Sequence, residues 1–130
     1  MLDGWFRDEH LWYLATPVGP VGDETLERNL EHGLSLYSFL LKEAKIKTVA
    51  PYFGLCFALK GDEELDLKLG VYMDFEVLAF CDGIIAWGPR MSVGMQLEWD
   101  YCTQRSKRQI NLVGQNFKTA LDHLNTILPS

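Results

Sequence analysis

Five residues, Gly83-Ile84-Ile85-Ala86-Trp87, restrict what this chain can fold into more than any other stretch. They make an apolar run with no polar alternation, bounded by turn-forming residues on both sides. A strand of that kind is typical of a parallel sheet covered on both faces. Gly88-Pro89 ends it, because proline has no N–H to give to a ladder. Ser92 then suits a helix N-cap, and Val93, Leu97 and Cys102 predict an apolar side for the helix that follows. In open α/β sheets, ligands lie beyond the carboxyl ends of the strands, where helix N-termini present free amides. Arg90, Ser92 and Gly94 are therefore expected at the mouth of a site, with Glu98 deeper.

Gly94 and Glu98 are four residues apart and share one helix face, Gly94 one turn nearer the loop. A glycine there removes the side chain that would roof the carboxylate, so a ligand could approach Glu98 along the backbone. Ser92 and the amides after it could hold an anion while Glu98 acts on a carbon several ångströms away. The same spacing fits a capped helix whose glutamate is merely solvated or paired, and spacing alone favours that plainer reading.

The rest of the chain supplies the partners such a strand needs. His10 to Ala15 reads as a first strand, followed by Thr16-Pro17-Val18-Gly19-Pro20-Val21-Gly22. Two prolines and two glycines in seven residues fix a turn and let backbone approach a ligand. Asp23 is a possible cap for a helix in which Leu26, Leu30, Leu34, Tyr37, Leu41 and Ala44 recur at spacings of three and four. Lys47 to Pro51 is a second strand, so this is a β–α–β unit with a parallel pair. Tyr52 to Asp62 reads as a loop whose aromatics could stack on a base or pack beneath the loop. Leu65 to Val77 alternates like a half-buried strand, yet thirteen residues is long for one, and Asp62-Glu63-Glu64 looks like a helix start. Read as a helix, it gathers Leu67, Val71, Phe75 and Leu78 on one face with Gly70 and Asp74 beside it. Gln109 to Val113 is a last short strand and Phe117 to Leu128 a last helix.

Charge and cysteine usage remove several function classes. A net charge of -6 argues against a nucleic-acid binder, without excluding a small anion held by amides and one or two cations. Cys56, Cys81 and Cys102 are odd in number and set in apolar sequence, so they read as reduced core thiols. His10, His32 and His123 have no metal-ligand spacing, and neither metal nor cofactor is implied. No apolar run is long enough to span a bilayer, and the start of the chain is not a secretory signal. The expectation is one cytoplasmic domain over residues 1–130 without a membrane partner.

Ser92-Val93-Gly94-Met95-Gln96-Leu97-Glu98 resembles the signature of the nucleoside 2-deoxyribosyltransferase-like superfamily. In its branch that hydrolyses deoxynucleoside monophosphates, a serine stands six and a glycine four residues before the catalytic glutamate, as Ser92 and Gly94 stand before Glu98. The chain is more similar still to phage and bacterial members of unassigned function. These have a strand led by cysteine-aspartate and ending in Trp/Phe-Gly, then S-x-G-M-x-x-E, matching Cys81-Asp82, Trp87-Gly88 and Ser92 to Glu98. The likeness runs from about Leu11 to Val113. Tyr13-Leu14-Ala15-Thr16-Pro17 resembles the family's Y-L-A-G-P except at Thr16.

The resemblance implies a doubly wound, flavodoxin- or Rossmann-like α/β domain, with four or five parallel strands and helices on both faces. It implies a helix over the alternating stretch, with Asp74 holding the sugar hydroxyls, and Glu98 as nucleophile. Thr16, Pro17, Tyr52, Arg90, Ser92 and Gly94 would bind the substrate. Transferases of the family carry an acidic residue shortly before the glycine, where this chain has Pro89-Arg90-Met91. A basic residue there suits a phosphate, so hydrolysis of a (deoxy)nucleoside 5′-monophosphate is expected ahead of deoxyribosyl transfer. The same fold could also bind a nucleotide signal without turning it over, as a sensor or sponge. The family also implies a homo-oligomer, a dimer or an assembly of dimers. Trp5, Phe6, Tyr52, Phe53, Trp99 and Tyr101 would then cover an interface near the mouth.

Overall fold

Strand β1 (Trp12–Ala15) and strand β3 (Gly83–Ala86) lie side by side at the centre of a sheet, every residue of both buried. In the computed structural model, which describes residues 4–59 and 63–130, the sheet has four parallel strands in the order β2-β1-β3-β4. β2 is Thr48–Val49 and β4 is Arg108–Asn111. The remaining elements are helices α1 (Leu26–Lys42), α2 (Tyr52–Ala58), α3 (Glu63–Phe80), α4 (Val93–Gln104) and α5 (Phe117–Ile127). The chain is an α/β protein of the doubly wound, Rossmann-like kind. No helix among the described residues is long and apolar enough to cross a membrane.

Side chains alternate across the sheet, so neighbours on a strand report on opposite layers. Trp12 and Trp87 turn to one face, where the Trp87 ring meets Phe39 of α1 and Phe117 of α5 at 5.5 and 5.7 Å between centroids. Tyr13 turns to the other, towards α3 and α4. β1 continues leftward through α1 to β2, and β3 rightward through α4 to β4. The carboxyl ends of β1 and β3 therefore border the crevice at which such sheets bind ligands.

Several expectations are corrected. Tyr52 to Ala58 is a helix and not a loop, with Tyr52 and Phe53 buried. The loop's remaining positions, 60–62, and the Leu67 side chain lie outside the described residues. Thr25, not Asp23, caps α1, its hydroxyl accepting from Arg28 N–H at 3.2 Å. The buried stripe of α1 is Leu30, Gly33, Leu36 and Leu40, whereas Leu26 and Leu34 are exposed. α4 is turned differently from the expected stripe. Its inward residues are Met95, Glu98 and Cys102, and Val93 and Leu97 face outward. The alternating stretch is helical, as length argued.

Gly83 is required where it stands. It pairs with Trp12, and a Cβ there would lie 2.6 Å from Trp12 Cζ3 and 2.7 Å from Arg108 O. Only a bare backbone lets the indole lie flat across the two central strands. Gly83→Ala should therefore cost about 1–3 kcal/mol through overpacking, measured by chemical denaturation. A loss within a few tenths of a kcal/mol would mean the Trp12 packing is not as tight as described.

Candidate active site

Glu98 lies at the centre of the site, 9% exposed although it is a carboxylate on a short helix. Helix α4 begins at Ser92, whose hydroxyl accepts from Met95 N–H at 3.2 Å as the expected N-cap. That start fixes the rotation of the helix. Met95, Glu98 and Cys102, at spacings of three and four, then face the sheet. On the sheet opposite Glu98 is Tyr13, whose hydroxyl donates to Glu98 Oε2. Burial raises the Glu98 carboxyl to about 8; the Tyr13 hydrogen bond opposes the shift and the charge of Asp74 adds to it. Burial likewise pushes the Tyr13 phenol far up, with Glu98 and Asp74 reinforcing it.

Asp74 reaches the same site from α3. It is half-buried, and its charge acts on Glu98, Tyr13 and Tyr52 together. The stretch that carries Asp74 is a helix, and the aspartate's charge acts on Glu98. Gly94, one turn above Glu98, is exposed, and a Cβ there would meet nothing within 4 Å. No positive φ or internal packing demands glycine at that position. The space above it is open to a ligand.

The loop residues divide between mouth and scaffold. Arg90 forks onto Glu24, Nη2 to Oε1 at 2.8 Å and Nε to Oε2 at 3.2 Å, and donates to Gly19 O at 2.9 Å. Its guanidinium, with Asn29 and the Val21 N–H, holds the Glu24 carboxyl down at about 2. This clamp ties the loop after β1 to the loop after β3, so Arg90 shapes the mouth through Nε and Nη2. Pro17 is buried in the same turn, beneath Gly88, whose φ of +122° excludes a side chain. Thr16 is 5% exposed and points to the α1 face, with its methyl against Gly33. Its hydroxyl is buried without a hydrogen-bond partner. Thr16 therefore stands on the side of β1 away from Glu98.

Tyr52, for which stacking on a base and packing beneath a loop were both open, is buried. Its hydroxyl donates to Leu14 O at 2.6 Å and receives Thr16 N–H. β2 is only two residues long, so this phenol satisfies the β1 edge where the ladder stops. Burial drives its own pKa well up. Tyr52 also packs at 6.1 Å from the Tyr13 ring, so it shapes the wall behind Glu98. Tyr13 and Glu24 are the residues that sequence reasoning did not single out. A tyrosine in a fully buried central strand must place its hydroxyl on a partner, which was the available signal.

Among the described residues, no group of three or more His, Cys, Asp or Glu is arranged to hold a metal. The three cysteines are thiols, Cys81 and Cys102 buried and Cys56 half-buried. No family model matches the chain, and no curated protein or solved structure matches it.

The raised carboxyl has a consequence for stability. A glutamic acid that titrates near 8 when folded and near 4.5 when unfolded holds its proton longer in the folded state. Between those values stability therefore falls as pH rises, by up to about 1.4 kcal/mol per unit. Glu98→Gln keeps the shape and removes the titration. Its stability relative to the parent should grow steadily from pH 5 to pH 8 in urea denaturation; a constant difference would contradict the burial of an ionisable Glu98.

Proposed function

We propose that the protein hydrolyses the N-glycosidic bond of a (deoxy)nucleoside 5′-monophosphate. The observation that carries this reading is Glu98: a buried carboxyl beneath an open glycine, hydrogen-bonded by Tyr13 at the β1/β3 crevice, with Asp74 alongside. Tyr13 holds Oε2 and leaves Oε1 to attack the anomeric carbon as the C1′–N bond breaks. The bonding pair leaves with the base, which takes up a proton. The resulting glycosyl ester is hydrolysed by water to free sugar phosphate, and the carboxylate returns. Asp74 accepts hydrogen bonds from the sugar hydroxyls.

The phosphate falls to Ser92 and the first amides of α4, with Arg90 beside them holding Glu24 through Nε and Nη2. Arg90 contributes by fixing the mouth. Binding without turnover is the second reading, and the deep burial of Glu98, protonated around neutrality, is the observation in its favour. Deoxyribosyl transfer follows the same chemistry with a second base in place of water. A homo-oligomer belongs to this reading, in the cytoplasm and with a nucleotide or nucleoside as the small-molecule partner.

A nucleophile must be ionised, so base release should climb with pH and level off above about 8. Chromatography of free base from a panel of monophosphates measures it. Glu98→Gln should lose nearly all turnover while still binding nucleotide. Turnover retained in that variant removes Glu98 from the mechanism. Tight binding by the parent without any base release establishes the sensor.

Gly94 offers a test in which fold and function move in opposite directions. Gly94→Ala should stabilise α4 by up to about 1 kcal/mol, because glycine is a poor helix former and the added methyl meets nothing. The same methyl roofs the approach to Glu98 and should cut turnover by about tenfold or more. Unchanged turnover in a stabilised variant would show that the ligand enters elsewhere.

A further inference from the structure

The two loops that form the mouth also line a second space, on the α1 side of the crevice and away from Glu98. Pro17 from the loop after β1, Pro89 from the loop after β3 and the start of α1 enclose a cavity of about 380 Å³, a volume that suits a small molecule. Its polar lining is mixed. Arg28 and His32 are exposed and four residues apart on α1, and among the described residues neither side chain has a hydrogen bond or ion pair. Asn29 gives the N–H bonds of its amide to Val18 O and Glu24 Oε1, at 2.9 and 3.1 Å, which leaves Oδ1 to accept. Asp23 adds an exposed carboxylate, whereas that of Glu24 is balanced by Arg90. A bare phosphate would meet Asp23 as well as Arg28. A sugar uses both, its hydroxyls donating to Asp23 and Asn29 and accepting from Arg28 and His32.

We infer that this cavity takes the far end of the ligand, so that the substrate class is a nucleoside 5′-diphosphate whose second phosphate is esterified to a further sugar. The inference rests on the proposed seat of the 5′-phosphate at Ser92 and the first amides of α4, and extends the ligand beyond it. Pro89 and Ser92 are three residues apart, so the cavity wall and the phosphate seat are separated by at most about 11 Å. Arg90 comes between them in the chain. Its Nε and Nη2 hold Glu24 and Gly19 O, and Nη1 takes no part in that fork. A ligand running from the α4 amides to the cavity passes Arg90, and Nη1 supplies a charged donor for the second phosphate. The fork also ties the two proline-bearing loops together, so the cavity is formed before a ligand arrives. A monophosphate would end at Ser92 and leave that preformed space unused.

Isothermal titration of Glu98→Gln, in which turnover is removed, compares the monophosphate, the diphosphate and the diphosphate-linked sugar of one nucleoside. The probes are UMP, UDP and UDP-glucose; AMP, ADP and ADP-ribose; and dTMP, dTDP and dTDP-glucose. For the base that the site accepts, the sugar ester should bind about tenfold or more tightly than the monophosphate, with the plain diphosphate in between. Adding Arg28→Ala and His32→Ala should bring the ratio of ester to plain diphosphate close to one. Both residues are exposed, so urea denaturation should show the fold intact. Equal affinity for monophosphate and ester overturns the inference and leaves the monophosphate reading standing. An ester advantage that survives the double change places the sugar elsewhere and overturns this cavity. Binding of none of the compounds overturns the cavity together with the seat at Ser92. The expected ratios without base release from any compound by the unaltered chain support the cavity and overturn hydrolysis instead.

Discussion

Four residues of β1 paired with four of β3 hold the structure together and set its chemistry. The register is pinned by Trp12 against Gly83, since no other β3 residue leaves room for the indole. With Trp12 committed to the α1 and α5 side, pleating sends Tyr13 to the side of α3 and α4. A slip by one residue would reverse both and bring a tryptophan to Glu98. The glycine that packs the core therefore also aims the phenol of the site. Beyond β1 and β3, the Arg90–Glu24 fork joins the two loops that those strands lead into. Sheet and mouth are thus specified at opposite ends of one strand pair.

The same centre carries the polar groups that a stability-optimised core would lack. Glu98 is buried as a carboxyl that must give up a proton to be useful as a nucleophile, and each pH unit above its unfolded value makes the folded state less favoured. Thr16 buries a hydroxyl without a partner on the neighbouring face, a cost on the order of 1–3 kcal/mol. The remaining buried phenol is fully used, since Tyr52 closes the β1 edge at both Leu14 and Thr16. The contrast separates the two kinds of buried polar group in this fold. Tyr52 completes the backbone and has nothing left to offer a ligand, whereas Glu98 retains an oxygen.

The fold class was legible because a strand without alternation, Gly83 to Trp87, has few homes other than a parallel sheet. The strand positions followed to within a residue or two, and Ser92 was readable as a cap because its context contains little else for a hydroxyl to do. The errors share a cause. Thr25, not Asp23, caps α1, and Glu24 between them is drawn to Arg90, a contact between residues 66 apart that local spacing cannot reveal. Through the same contact Arg90, read from local spacing as a phosphate partner, holds Glu24 with Nε and Nη2. The facing of α4 was misread because hydrophobicity was assumed to point inward, when Glu98 occupies the inward position and Val93 and Leu97 the outward one. The aromatics of α2 looked like a mouth because seven residues with a central glycine give too little periodicity to announce a helix. What the sequence lacks in each case is the long-range partner. Asp74 was singled out from a resemblance, not from spacing, and what the structure gives is that its charge acts on Glu98.

The ambiguity of Leu65 to Val77 has a physical content of its own. Residues two apart on a strand share a face, but on a helix they are rotated by about 200° and fall on opposite sides. An alternating apolar pattern placed on a helix therefore distributes its side chains over two faces, which is what α3 does. Phe75 joins the inner packing, while Leu69 and Met73 from the same alternation are exposed. The length of the run decides for a helix, and the alternation then says that this helix has two surfaces to cover. The α/β layer covers one. Asp74 lies between the exposed Met73 and the inward Phe75, one residue from each surface. The pattern that obscured the secondary structure thus describes a helix with one apolar stripe packed inward and another exposed, and Asp74 between them.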